Sequence, residues 1–508
     1  MRAGNKSLIW ATQIRSQFDV PARETSAGTG EITRGATEET ILVSHFGMEA
    51  ILTDRFKFVL IGAGSTVFTQ RLVSDLILSG EADRWELALV DIDPVTLDAV
   101  NRLVQKMLAF KGISFPITST TNRREVLRGA DFVVTTIAVG GRRGWEVDVQ
   151  IPRKHGIYQP VGDTVMPGGI SRAMRMIPQM VAIAEDVAEL CPDAYFLNYS
   201  NPMTAICRAV RIKTGVPVIG LCHGVHYVEG LLAGFLGVPE SSISTLGVGL
   251  NHLTFLTRIL CDGKDAMPSL KAKLDEQRPL VSQEIGDKKE WPNGVSGRPI
   301  RYSDDPFAWS IFDRYGVLPV ALDRHITEFY PERFPQGQYY GWKLGVNAFP
   351  IDHRIALGDT WFDEMLAVAR SADPLPPWYF ENVPGESEQL LDIMKSLLFD
   401  KRGVYSVNMP NSGAVPGLPA DAVLEMPVLA GGGGFMPLHS QALHPTLTAK
   451  VLSKIAAIEL TVQAALNGSF DLMVEALLAD GSVSDPDKAS ALARDLIAAH
   501  EVYLPHFA

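Results

Sequence analysis

The sequence predicts an α/β protein built on a doubly wound parallel sheet, followed by a second α/β (α+β) segment. Three observations carry that expectation. From Phe56 onward, short β-branched runs alternate with amphipathic stretches of helical length, which is how a parallel sheet with crossover helices is written. The runs are apolar on both faces, as strands buried between two helix layers must be. The first run feeds straight into a glycine-rich turn and then a helix, the Rossmann-type arrangement that brings backbone N–H groups to a pyrophosphate.

In chain order the strands are expected at Phe56–Ile61 (FKFVLI), Glu86–Ile92 (ELALVDI), Asp131–Ile137 (DFVVTTI), Ala194–Tyr199 (AYFLNY) and Pro217–Leu221 (PVIGL). Helices are expected between them at Val67–Leu78, Pro94–Leu108 and Arg172–Leu190. Pro94 suits a first helical position, where its missing N–H would have no partner anyway. These elements make a first domain over residues 56–222. The second, 223–508, opens with a strand near Ile243–Gly249 that leads into Asn251 and His252. Trp291–Pro306 and Ala372–Glu386, rich in Pro, Gly and Asp, read as surface loops near a site or interface. Gly431–Gly434 reads as a flexible turn, and helices are expected at Leu447–Asn467 and Asp487–His500. Residues 1–55 lack a secretory signal pattern. They read as a poorly ordered extension or as the product of a start upstream of Met48.

Composition excludes several classes. A chain of 508 residues with net charge −12 and no basic stripe is a poor partner for nucleic acid. No window reaches the roughly 18 consecutive apolar residues of a membrane span. Four cysteines in this length argue against a disulfide framework and for a reducing compartment, so a soluble cytoplasmic protein is expected. Each cysteine is then core or chemistry; Cys191, Cys207 and Cys261 read as core.

Four segments carry candidate chemistry. In the turn Gly62-Ala63-Gly64-Ser65-Thr66-Val67 a valine stands where the usual third glycine would be. Asp91, ending the second strand, places a carboxylate near ribose hydroxyls and disfavours a 2′-phosphate, so NAD is favoured over NADP; it reads otherwise as a solvated strand end. Cys222 and His252 close strands at positions where an α/β fold delivers side chains to its cleft. They read as ligands of a divalent cation or as core. Asp163 lies in the polar, glycine-rich segment GIYQPVGDTVMPGG, and Asp323, Arg324, His325 and Glu328 fall within six positions after an apolar stretch. Solvated loops and helix caps are the plain alternatives for both segments.

Taken together, FVLIGAGSTVF, ALVDID, DFVVTTIAVGG, GIYQPVGDTVMPGGISRAMRMIP, LNYSNPMTAICR, GLCHG, GLNHLTF and DRHITEF resemble the NAD- and metal-dependent glycoside hydrolases of family 4, from about Phe56 to the C-terminus. The resemblance implies a lactate/malate dehydrogenase-like first domain, an α/β catalytic domain and a homodimer or homotetramer. It makes Cys222 and His252 ligands of Mn²⁺ or another divalent metal, and Gly62, Gly64, Ser65, Thr66 and Asp91 the NAD site. Asn201 would hold substrate beside the nicotinamide and Asp163 would be the acid for the leaving group. Asp323 falls where some members carry their base; others use a tyrosine, for which Tyr315 is nearby. The implied reaction oxidises the sugar C3 hydroxyl with NAD⁺, which acidifies the C2 proton, eliminates the aglycone, adds water and returns the hydride. His223 and Arg324 are implied as substrate contacts, with Arg172, Arg175 and His325 also open to a C6 carboxylate. An unphosphorylated α-galactoside or α-hexuronide is therefore the expected substrate. Gly224, where some uronidases have glutamate, keeps a neutral sugar open. The alternative is a lactate/malate-type dehydrogenase sharing only the first domain, which would release NADH with its product.

Overall fold

The computed structural model describes residues 55–65, 68–276, 304–377, 379–382 and 389–507. Apart from Arg55, the expected extension over 1–55 lies outside the described residues, as do Thr66 and most of the Trp291–Pro306 loop. Strands β1 (Phe56–Ile61), β2 (Trp85–Val90), β3 (Ile117–Thr120), β4 (Phe132–Thr135), β5 (Tyr195–Asn198) and β6 (Ile219–Gly220) are all parallel and lie in the order β3-β2-β1-β4-β5-β6. Strand order reverses between β1 and β4, and the crevice at such a switch point is where open α/β sheets bind ligands. Five of the six strands fall on the expected apolar runs. β3, ITST, has two exposed and two half-buried residues, so no apolar run announces it.

The sheet continues into the second half of the chain. Strands β7 (Ile243–Leu250), β8 (Leu253–Cys261), β9 (Lys264–Asp265), β10 (Leu318–Pro319), β11 (Gln338–Tyr339), β12 (Trp342–Lys343), β13 (Gly403–Pro410), β14 (Val423–Gly431) and β15 (Gly434–Pro437) follow. Beyond β6 the order runs β13-β14-β7-β8-β10, every neighbour antiparallel. The joins are narrow: Asn408 pairs with Gly220, and Glu425 with Gly249. The boundary expected at residue 222 thus divides the sequence and not the sheet, and Arg55–Ala508 forms one compact unit. Gly431–Gly434 is the tight hairpin between β14 and β15.

Helix boundaries follow local chemistry. The helix Pro94–Lys111 is capped by Asp93, whose carboxylate accepts from the Val95 and Thr96 N–H groups, and ends on Gly112 at φ +64°. Another helix begins at Met166 and not at the expected Arg172, running to Leu190. Its first turn contains Pro167, Gly168 and Gly169, a composition that reads as loop. The glycines are there for contact. A Cβ on Gly168 would lie 2.7 Å from the Gly162 carbonyl oxygen, and one on Gly169 2.4 Å from the Thr164 carbonyl carbon. The loop carrying Asp163 therefore rests on the backbone of this helix. Its first amide, on Met166, donates to Asp480, which is itself paired with the buried Lys454.

One fully buried charge network ties this helix to its neighbours. Asp148 accepts from both guanidinium nitrogens of Arg175, from Ser171 (2.8 Å) and from His500 (2.9 Å). Arg175 is thereby engaged in the core and is not a sugar ligand. Removing one partner leaves a buried charge uncompensated, which typically destabilises by about 3–5 kcal/mol. Asp148→Ala should lose stability on that scale in urea unfolding; a loss below about 1 kcal/mol would contradict the pairing.

Candidate functional site

The glycine-rich turn leaves β1 with Gly62 at φ +94°, where a Cβ would meet the Thr136 and Ile137 backbone at 2.8 Å. At Gly64 a Cβ would lie 2.7 Å from Asp91 Oδ2, and that oxygen accepts from the Gly64 N–H at 2.7 Å. Asp91 Oδ1 accepts from Asp93 N–H at 3.0 Å. Asp91 is thus the brace of the turn as well as an acceptor beside it, and its carboxylate is half-exposed. Ser65 accepts from Phe68 N–H (3.3 Å) at the next helix start. Beside Asp91, Ile92 is 91% exposed, an apolar side chain next to the residue that braces the glycine turn.

At the far end of β4, β5 and β6 a polar cluster forms. Asp163, Arg172, Asn201, Cys222, His252, Arg324 and His325 all keep partial exposure, and His223 is exposed. Ligand atoms of Asp163, His252 and His325 lie within 4.8 Å of one another, and the two imidazole rings are 4.2 Å apart, centroid to centroid. Asp163 accepts from Thr164 Oγ1 (2.7 Å) and Asn201 Nδ2 (3.3 Å). Arg172 Nε holds the Asn201 carbonyl at 3.0 Å. Cys222 falls outside the group of three but stands beside it.

The electrostatics suit a cation. Burial raises the Asp163 carboxyl, but the charges that His325 and His252 carry when protonated, with Arg172 and the Thr164 hydrogen bond, more than offset this and bring it down to about 2. Burial lowers both imidazoles, His325 further because His252 faces it, so they present neutral nitrogens. Burial, with the charge of Glu425, pushes the Cys222 thiol up to about 12; a cation would have to displace that proton to bind sulfur. His325 Nδ1 and Asn201 Oδ1 are buried without hydrogen-bond partners. One carboxylate and two neutral imidazoles with an orphaned nitrogen fit a divalent ion with oxygen and nitrogen ligands.

Several expectations change. His252 does not end a parallel strand. β7 runs antiparallel to β14, and His252 sits at φ +66° in the turn between β7 and β8, so it reaches the cleft from a hairpin. Asp323 is fully buried, and its carboxylate caps the helix Pro306–Tyr315. It accepts from Phe307 N–H (2.8 Å), Ala308 N–H (2.6 Å) and the Tyr339 hydroxyl (2.5 Å), while Asp305 takes its amide (3.0 Å). The helix-cap alternative is what the structure places there. Tyr315 packs its ring 5.0 Å from that of His444. Arg324 is held at the cluster's edge; burial and Arg354 lower it to about 10, which leaves it charged at neutral pH.

Beneath the floor lie residues that sequence reasoning left unassigned. Glu328 Oε1 accepts from Val161 N–H (2.9 Å) and Gly162 N–H (2.6 Å), clamping the loop that ends in Asp163. Asn251 donates to Glu425 (3.4 Å), which also accepts from Thr254 (2.7 Å), anchoring the turn of His252. The only signal for Glu328 was its place in DRHITEF; Thr254 and Glu425 are 171 positions apart and gave none.

Burial, then the Asp163 charge, pushes the Glu328 carboxyl from 4.5 up to about 8. The folded state therefore keeps a proton that the unfolded chain has released, and stability falls as pH rises through that window. Glu328→Gln keeps an acceptor for both amides and removes the titration. Urea unfolding between about pH 5 and 8 should decline less steeply for this variant than for the wild type; equal slopes would contradict the assignment.

Two models of one family match the chain: family 4 glycosyl hydrolase over residues 57–238 and family 4 glycosyl hydrolase C-terminal domain over residues 247–483. The match runs through both halves, whereas the dehydrogenase alternative shared only the first. The chain is 32% identical to an alpha-galacturonidase of Thermoanaerobacterium saccharolyticum, covering 84% of this chain and 91% of that protein. It is 30% identical to an alpha-glucosidase of Erwinia rhapontici over 84% and 93%. Among solved structures, a 6-phospho-alpha-glucosidase from gut microorganisms, in complex with NAD and Mn²⁺, shares the fold at TM-score 0.75 and 18% identity, covering 90% of this chain and 100% of that one. The chain belongs to family 4 of the glycosyl hydrolases.

Proposed function

We propose that the protein hydrolyses unphosphorylated α-glycosides, α-galactosides or α-hexuronides, using NAD and a divalent cation such as Mn²⁺. The observation that carries this reading is the convergence of Asp163, His252 and His325 within 4.8 Å, beside Cys222 and across the switch point from a glycine turn with no room for a Cβ. Gly62, Gly64, Ser65 and Asp91 would hold NAD, with Ile92 covering part of its apolar surface. Asp163, His252 and His325, with Cys222 once deprotonated, would hold the cation. Bound together, these groups supply a hydride acceptor for the sugar C3 and a Lewis acid for its oxygens, the combination that makes the C2 proton removable.

The chain's own residues then have distinct tasks. Asp163, held ionised, is suited to the cation and not, as the resemblance implied, to donating a proton from the resting site. Glu328, protonated at neutral pH, keeps a second charge away from Asp163. Arg172 orients Asn201, whose unpartnered Oδ1 is left for a sugar hydroxyl. His223 stands exposed at the mouth. Asp323, as a helix cap, supports this floor from beneath and takes no proton.

One observation favours the hexuronide. Arg324, His353 and Arg354 line a shallow, partly open pocket with Phe349, Pro350 and Leu357, and guanidinium groups match a carboxylate far better than a neutral C6 hydroxyl. The two named relatives act on different sugars, so their names do not choose. The test is a pair of aryl α-glycosides, galactoside and galacturonide, with NAD⁺, Mn²⁺ and dithiothreitol. Turnover should stop when chelator is added or NAD removed, show no net NADH absorbance, and favour the galacturonide. Oxidation of Cys222 without reductant should also lower it. Turnover indifferent to chelator and to NAD would overturn the redox reading, and preference for the galactoside would overturn the role of the pocket.

A further inference from the structure

We propose that Thr164 is a positioning residue that fixes the tautomer of His252 and so leaves Nε2 of that imidazole as the nitrogen offered to the cation. The inference rests on the reading of His252 as a cation ligand. The Thr164 hydroxyl lies 2.7 Å from Asp163 Oδ1 and 2.7 Å from His252 Nδ1. A hydroxyl carries one proton and accepting lone pairs, while an ionised carboxylate can only accept. Thr164 therefore donates to Asp163, and towards His252 its oxygen can only accept. The proton in that second bond must belong to Nδ1. A neutral ring protonated at Nδ1 has its lone pair on Nε2, so one hydroxyl settles which atom of the ring faces a metal.

Both ends of this bridge are held by rigid structure. Thr164 is 8% exposed, and its backbone presses on Gly169, where a Cβ would lie 2.4 Å away. His252 is placed by the turn that Asn251 ties to Glu425, and its ring packs against His325. The hydroxyl thus cannot drift from either partner without moving a strand turn or a helix start. Without it, His252 Nδ1 loses its acceptor, and the Nε2–H tautomer, which blocks the ligand nitrogen, becomes accessible. Groups that orient a ligating histidine through its other nitrogen typically change metal affinity by about 10–100-fold.

The test compares wild type, Thr164→Val and Thr164→Ser. Long-range ¹H–¹⁵N spectra of metal-free protein labelled at histidine, with His252 identified by its loss in His252→Gln, report the protonated nitrogen directly. Wild type and Thr164→Ser should carry the proton on Nδ1; in Thr164→Val it should shift toward Nε2. Titration with Mn²⁺ alone, followed by the electron paramagnetic signal of the free ion, should show binding about 10–100-fold weaker in Thr164→Val and restored in Thr164→Ser. Thermal unfolding like that of wild type would confirm that Thr164→Val is folded. A ring still protonated at Nδ1 in Thr164→Val, or Mn²⁺ affinity equal to wild type, would overturn the proposal. Wild type binding Mn²⁺ no better than His252→Gln would instead sink the cation reading, while the metal-free spectra still decide the role of Thr164.

Discussion

The site depends on one close approach: the loop Gly162–Thr164 lying directly on the first turn of the helix Met166–Leu190, backbone against backbone. Only glycine at 168 and 169 permits it. This contact fixes where Asp163 points and places the Thr164 hydroxyl within reach of a histidine 88 positions away. Glu328 locks the loop from the other side through two backbone amides. Small residues here are the condition for a short, polar loop to be immobile in a place where its side chains must remain available.

Immobility is needed because the layer under the cleft is costly to bury. Glu425, Asn408 and Asn251 are at most 1% exposed, and Asn408, Asn251 and Glu425 each retain an atom with no hydrogen-bond partner. Asn201, Arg324, His325 and Glu328 do the same at the floor itself. Leaving such groups unpaired sacrifices stability that a structural core would keep. Their concentration around one cleft is what a chain accepts when those atoms are to meet a ligand. The narrow joins at Gly220–Asn408 and Glu425–Gly249 run through the same layer, so the seam between the two halves of the sheet is also the seat of the site.

Much of the fold was legible in the sequence because buried parallel strands are apolar on both faces: β1, β2, β4, β5 and β6 announced themselves, as did the helix starting at Pro94, though it runs on to Lys111, and the helix ending at Asn467. The antiparallel half was not, since pairing between segments as distant as Gly220 and Asn408 leaves no local periodicity. The helix start at Met166 was misread because Gly168 and Gly169 serve tertiary contact and not local propensity. Asp323 illustrates the opposite limit. Its neighbourhood pointed to chemistry, yet the Phe307 and Ala308 amides that engage it are 16 and 15 positions away, and only the fold shows that it caps a helix. His252 stands out in the sequence only as the end of a strand, and its approach from a hairpin needed the sheet topology.

In the redox route proposed here, a proton leaves the sugar C2 during hydrolysis. The most direct test runs the reaction in D₂O with NAD⁺ and Mn²⁺ and examines the released sugar by ¹H NMR. Deuterium should appear at C2 of the product, with none in sugar incubated without enzyme. Hydrolysis that proceeds with C2 fully protonated would contradict that route.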